Sequence, residues 1–286
     1  MKLTAITSLA RPLDLTYPTN KAIAVLSLMV FGGGGGTLVW MTGGSGVLDS
    51  VSKGFIASLA FFLAWAIARE LDPDYDLSAF VAAGLALIGL IFWGLPRILV
   101  LFWVLLMARM VNRTTGLPAR RLDSVVLLVL AGWLTFTGNI FVGLITALAF
   151  FLDSRLPKPQ QQHVLFAGMQ MLIVGISVYV NGFAVGDGTV ALIGAGAVVL
   201  ISVLFLVVIM DSKDVRAGGD QTGDVLDPVR VQSAQALALS TALLSTVWIG
   251  TSGIVAILPL WAAIVGTAVY RTAVRANTYV SSIHHW

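Results

Sequence analysis

The charged residues of this chain stand at the ends of long apolar runs and almost never inside them, and that separation restricts the fold more than any motif. Only 11% of the residues are charged and 58% are hydrophobic, with a mean hydropathy of +0.93. A soluble globular chain carries about 25% charged residues. The pattern predicts an all-α, polytopic integral membrane helical bundle.

A crossing of about 30 Å of hydrocarbon needs roughly 20 apolar residues in a helix. Ten candidate spans follow: Ala22 to Met41, Phe55 to Ala68, Ala79 to Trp93, Ile98 to Met110, Val125 to Phe136, Ile140 to Leu152, Val164 to Val180, Val190 to Met210, Val231 to Ile249 and Ile254 to Tyr270. Gly94-Leu95-Pro96-Arg97 separates the third from the fourth, and Thr137-Gly138-Asn139 the fifth from the sixth. Both pairs are short for full crossings and are alternatively re-entrant hairpins.

Alternating these spans places fifteen of the seventeen Lys and Arg residues on one side, leaving only Lys53 and Arg97 on the other. Short loops rich in Lys and Arg face the cytoplasm. Both termini are therefore expected inside, in a cytoplasmic (inner) membrane. The net charge of +3 follows from this asymmetry, so membrane lipids rather than nucleic acid are the expected partners. The chain has no cysteine, which excludes disulfide and thiol chemistry.

The whole chain reads as one transmembrane domain. Segment 211–228 is polar and glycine-bearing, and is expected to be a flexible cytoplasmic loop that sets off the last two spans. Gly32-Gly33-Gly34-Gly35-Gly36 lies in the middle of the first span. Each glycine costs roughly 1 kcal/mol in a helix interior relative to alanine, so the run is expected either to break the span and form a solute site, as in transporters, or to admit a neighbouring helix closely.

Glu70-Leu71-Asp72-Pro73-Asp74-Tyr75-Asp76 closes the second span. If the segment curls, Glu70, Asp72, Asp74 and Asp76 can converge on a divalent cation such as Mg2+; otherwise they cap the third helix and pair locally. The same side carries Arg109, Arg113, Arg120, Arg121 and Arg155. Arginine forks bind phosphate oxygens, and carboxylates hold a bridging magnesium ion. The pattern points to an anionic isoprenoid or lipid phosphate; the plainer alternative is positive-inside topology with loose lipid contact.

The layout resembles that of the intramembrane prenyltransferases in length, in Arg11-Pro12 ahead of the first span, in the acid-rich end of the second span and in Asp153 after the sixth. The resemblance implies magnesium-dependent transfer of an isoprenoid chain from its diphosphate. The chain departs from it where the family has asparagine-aspartate and here stands Arg69-Glu70, and where Asp153 stands nearly alone. Two other classes compete: a transporter of an uncharged solute, using the glycine run with Asn139, Gln170 and Asn181, and a non-catalytic subunit of a membrane assembly. His163, His284 and His285 fall in predicted loops, where solvated side chains are expected, and no serine sits in a nucleophile elbow.

Overall fold

A computed structural model describes residues 7–11, 13–41, 46–183 and 188–283. These fold into helices α1 (Pro18–Met41), α2 (Val47–Leu71), α3 (Asp76–Trp93), α4 (Ile98–Asn112), α5 (Arg121–Phe136), α6 (Ile140–Asp153), α7 (His163–Asn181), α8 (Leu192–Asp211), α9 (Pro228–Ile249), α10 (Thr251–Ala256) and α11 (Leu258–Ile283). Among the described residues the β pairing is one isolated bridge, Gly218 with Val225. Four helices are long and apolar enough to cross a membrane: Leu48–Leu71, Asp76–Trp93, His163–Asn181 and Leu192–Asp211. α4, α5 and α6, with 15, 16 and 14 residues, are shorter. At 1.5 Å per residue they reach roughly 21–24 Å, less than the hydrocarbon thickness.

Local chemistry fixes several helix ends. α3 stops at Gly94 and α5 just before Gly138, each at φ +92°, a conformation that a residue with a Cβ resists. α9 starts with Pro228 in its first turn, and the Asp227 carboxylate accepts from the amides of Val229 and Arg230 at 2.9 and 3.2 Å. The expected last span, Ile254 to Tyr270, is divided between α10 and α11, with Ile257 as the break and α11 running on to Ile283.

α1 is one helix from Pro18 to Met41, so the expected interruption at Gly32, Gly33, Gly34, Gly35 and Gly36 is not there. The competing terms explain this. Opening a helix leaves several backbone N–H and C=O groups without their partners, and each such group costs more than a glycine loses in propensity. Gly32 and Gly33 also face open space, which removes the close-packing alternative for those two residues.

α2 packs against α1, α3, α4 and α11; α6 lies between α7 and α9; and α5 packs on α6 and α7. Small residues set the closest approach. A Cβ on Gly266 of α11 would lie 2.6 Å from the backbone nitrogen of Ala82 in α3, so only glycine fits. Trp103, fully buried in α4, donates its indole N–H to Thr146 Oγ1 of α6 at 2.8 Å.

Segment 211–228, expected to be a flexible loop, makes hydrogen bonds to the rest of the bundle. The amides of Arg216 and Ala217 donate to Asp74 Oδ1 at 3.0 and 2.8 Å, and those of Asp220 and Gln221 donate to the carbonyls of Thr114 and Thr115 at 3.1 Å. Its glycines and aspartates, which read as a linker, also supply tight turns and local hydrogen bonds.

Candidate functional site

The loop-bearing end of the bundle holds a layer of buried carboxylates, each facing a different set of donors. Glu70, in the last turn of α2, has no exposed surface. Its Oε1 accepts from Arg109 Nε at 2.8 Å and Arg11 Nη1 at 3.2 Å, while Oε2 accepts from Asn112 Nδ2 at 3.2 Å and from the Thr114 hydroxyl. An ion buried without partners costs several kcal/mol, so this full complement is what keeps Glu70 charged inside the fold. Arg11 also pairs with Asp220. Burial works to lower the Arg11 pKa, but Glu70 and Asp220 outweigh it and hold the guanidinium above its ordinary value.

The other three acids of the same segment go elsewhere. Asp72 Oδ1 takes both Nε and Nη2 of Arg271 in α11, at 3.0 and 2.7 Å, and Asp72 Oδ2 has no hydrogen-bond partner. Burial pushes the Asp72 carboxyl above the usual carboxylate range, and Arg271 offsets only part of that. Asp74 accepts from segment 211–228, and Asp76 pairs with Arg69. Glu70, Asp72, Asp74 and Asp76 therefore do not converge, because Pro73 turns the chain and each carboxylate finds its own donors. Among the described residues no three His, Cys, Asp or Glu side chains gather as metal ligands.

A second buried centre lies at the end of α6. Asp153, without exposed surface, accepts from Arg113 Nη2 at 3.0 Å and Arg230 Nη1 at 2.7 Å, and Nδ1 of His163 lies 2.7 Å from its other oxygen. His163 Nε2 is 2.8 Å from Ser124 Oγ. The histidine read as a solvated loop residue is thus the first residue of α7, fully buried and stacked edge-on against Phe150 and Phe166. Ser124, His163 and Asp153 have the connectivity of a serine relay. Ser124 has no exposed surface through which a substrate could reach it, and two guanidinium groups already draw on Asp153. The trio fastens the starts of α5 and α7 to the end of α6.

The five arginines expected to bind phosphate separate into two groups. Arg109 and Arg113 are committed to Glu70 and Asp153, whereas Arg120, Arg121 and Arg155 are exposed at the surface of the same end. Arg11, named in the sequence for its place ahead of the first span, completes the layer together with Arg230 and Arg271, which the sequence did not single out. Asp123 belongs to it too, accepting from Ser8 N and Ser8 Oγ at 2.9 and 2.8 Å and tying the N-terminal segment to α5.

Two clefts open beside these networks. One of about 500 Å³, lined by Asp74, Tyr75, Asp211, Asp214, Arg216, Arg271 and Arg275, mixes charges of both signs. The other, about 600 Å³, is lined by Asn112, Arg113, Lys158, Gln160 and Arg230 together with Asp224 and Asp227. Arg113 is buried, yet its Nε has no hydrogen-bond partner. Burial lowers the pKa of that guanidinium and Asp153 opposes the shift. Lys158 adopts φ +56° immediately before Pro159, although a residue preceding proline is normally extended. Its carbonyl is held by Arg113 Nη1 at 2.8 Å, which keeps the strained turn at the cleft.

Within the spans, Gln170 is fully buried in α7, and neither its Oε1 nor its Nε2 has a partner. It makes no interhelical hydrogen bond. Asn139 bonds Arg97 at 3.3 Å at the opposite end of the bundle from Glu70. His284 and His285 lie outside the described residues. No family model, curated protein or solved structure matches the chain. The likeness to intramembrane prenyltransferases remains one of layout.

Proposed function

We propose that this is a multi-pass protein of about ten spans in the cytoplasmic membrane, with both termini in the cytoplasm, and that its loop face binds or processes an anionic isoprenoid or lipid phosphate. The observation that carries this reading is the 600 Å³ cleft, which Arg113, Arg230 and the strained Lys158 line together. The cleft gathers Arg113, Arg230 and Lys158 at one opening, residue types suited to phosphate oxygens. Lys158 adds a point charge on a flexible stem. Magnesium enters with a diphosphate as part of the ligand, since the four acids of the Glu70 segment are each taken by separate partners. The transport reading loses its main support with α1 unbroken.

A thermal-shift assay of the detergent-purified protein tests this, using farnesyl phosphate, farnesyl diphosphate and phosphatidic acid, each with and without magnesium. A ligand at 100 times its Kd stabilises the folded state by about 2.7 kcal/mol. One phosphate class should raise the melting temperature, and Lys158→Glu should weaken that effect by at least about tenfold in apparent affinity, in line with charge reversal at a close contact. No shift with any phosphate, or an unchanged response in the variant, overturns the reading.

A further inference from the structure

The outer faces of α6 and α7 enclose a groove of about 400 Å³ with an almost wholly apolar lining. Its floor is made of small residues, Ala147 and Ala167, both buried, with Gly168 beside them. Leu148, Phe151 and Met171 form walls that are 43%, 43% and 49% exposed. From Leu144 to Phe151 the groove follows two turns of α6, about 10 Å at 1.5 Å per residue. It is open along its length, and α7 is one of the helices long and apolar enough to cross a membrane. In a bilayer, hydrocarbon chains fill such a surface.

The polar end of the groove carries a charge. Arg155 is exposed in the turn after α6, and its guanidinium carbon sits 5.3 Å from the centroid of the Phe151 ring. Stacking on the aromatic face holds the cation over the mouth of the groove. Arg155 makes no ion pair with any described carboxylate, unlike Arg109, Arg113, Arg230 and Arg271 in the buried layer. An apolar channel one chain wide, ending at an unneutralised arginine at the depth of the loops, has the chemistry of a lipid acyl chain below its phosphate.

We infer that the α6–α7 groove binds one acyl chain of an anionic glycerophospholipid of the bilayer, with the lipid phosphate on Arg155. The second acyl chain remains in the bilayer, which the open side of the groove allows. This site is separate from the Arg113–Lys158 cleft and does not depend on it. Gly168 offers a direct handle: it lines the groove, and a Cβ there meets nothing within 4 Å, so a side chain can be added without a clash at its first carbon.

The test uses the full chain in vesicles of equal phosphatidylglycerol and phosphatidylcholine, doped with either lipid bearing a photoactivatable group at the acyl end. Cross-linked peptides are then mapped. An arginine near an anionic surface contributes about 1 kcal/mol, so phosphatidylglycerol should label α6 and α7 about fivefold more than phosphatidylcholine. Arg155→Gln should abolish the preference while leaving some labelling. Gly168→Phe should remove labelling of both helices by both lipids, with the melting temperature unchanged. Lys158→Glu should leave labelling of both helices by phosphatidylcholine unchanged, which separates the groove from the cleft. Equal labelling of the wild type by the two lipids, a preference that survives Arg155→Gln, or undiminished labelling of Gly168→Phe at an unchanged melting temperature overturns the inference.

Discussion

Glu70 and Gln170 are both fully buried polar side chains, and they lie in opposite circumstances. Glu70, at the loop end of α2, meets four side-chain donors from the N-terminal segment, α4 and the turn that follows it. Gln170, midway along α7, meets none. A Cβ on the nearby Gly143 would come within 2.7 Å of Thr135 Oγ1 and 3.2 Å of Gln170 Nε2, so α5, α6 and α7 are close around the amide without pairing it. The energy of a buried polar group is set by its partners rather than its type: the charged residue is the better accommodated of the two.

The comparison breaks most visibly at the loop end. Glu70→Ala leaves Arg11 and Arg109 without their buried partner, and breaking such a network costs about 3–5 kcal/mol. Thermal denaturation of the purified protein should show it as a large drop in melting temperature. A loss no greater than that of an exposed pair, under about 1 kcal/mol, would mean that Glu70 does not anchor this face.

Within the span, Gly143→Val places methyl groups where Val174 Cγ2 already lies 2.4 Å from an added Cβ. Overpacking of that kind costs about 1–3 kcal/mol, measured by the same melt. Gln170→Met should have the opposite sign, raising stability by about 1 kcal/mol, because it removes two unpaired polar atoms at similar volume. Destabilisation by that substitution would show that the amide is paired with water or a bound solute.

The smallest effect concerns Asp72, whose carboxyl burial pushes upward in pKa. A folded-state pKa above the unfolded value, about 3.9, means that the folded form holds its proton longer. The associated stability is full below the unfolded pKa and is lost as pH rises through the folded one. Asp72→Asn should therefore flatten the stability curve in the window just above the ordinary carboxylate range while keeping an oxygen toward Arg271. A melt series from pH 4 to 7 reads the slope, and an unchanged slope would assign the decline to other groups.

Parts of this organisation are legible in the sequence. Helix positions follow the apolar runs closely at α3, α4 and α6, whose ends are marked by Gly94, Pro96, Asn139 and Asp153. The end of the bundle that gathers charge is legible too, from the side on which Arg109, Arg113 and Arg155 fall. The pairing is not. Asp72 finds Arg271 at a separation of 199 residues and Arg230 finds Asp153 at 77, and nothing in either neighbourhood specifies the other. His163 looks like a loop residue because its three glutamine neighbours are polar, yet α7 starts there and buries it.

Transfer of a side chain from water to hydrocarbon depends on its own chemistry and that of its near neighbours, so composition and spacing alone determined that this chain is helical, apolar on its outside and charged at its ends. Whether a buried carboxylate is a ligand, a strut or an orphan depends on which distant donors the packed helices bring within about 3 Å. Only the tertiary structure decided that. It gave each of the expected metal-binding acids its own separate donors, and it left Arg113 and Lys158 beside one cleft and Arg155, without an ion pair to any described carboxylate, beside the α6–α7 groove.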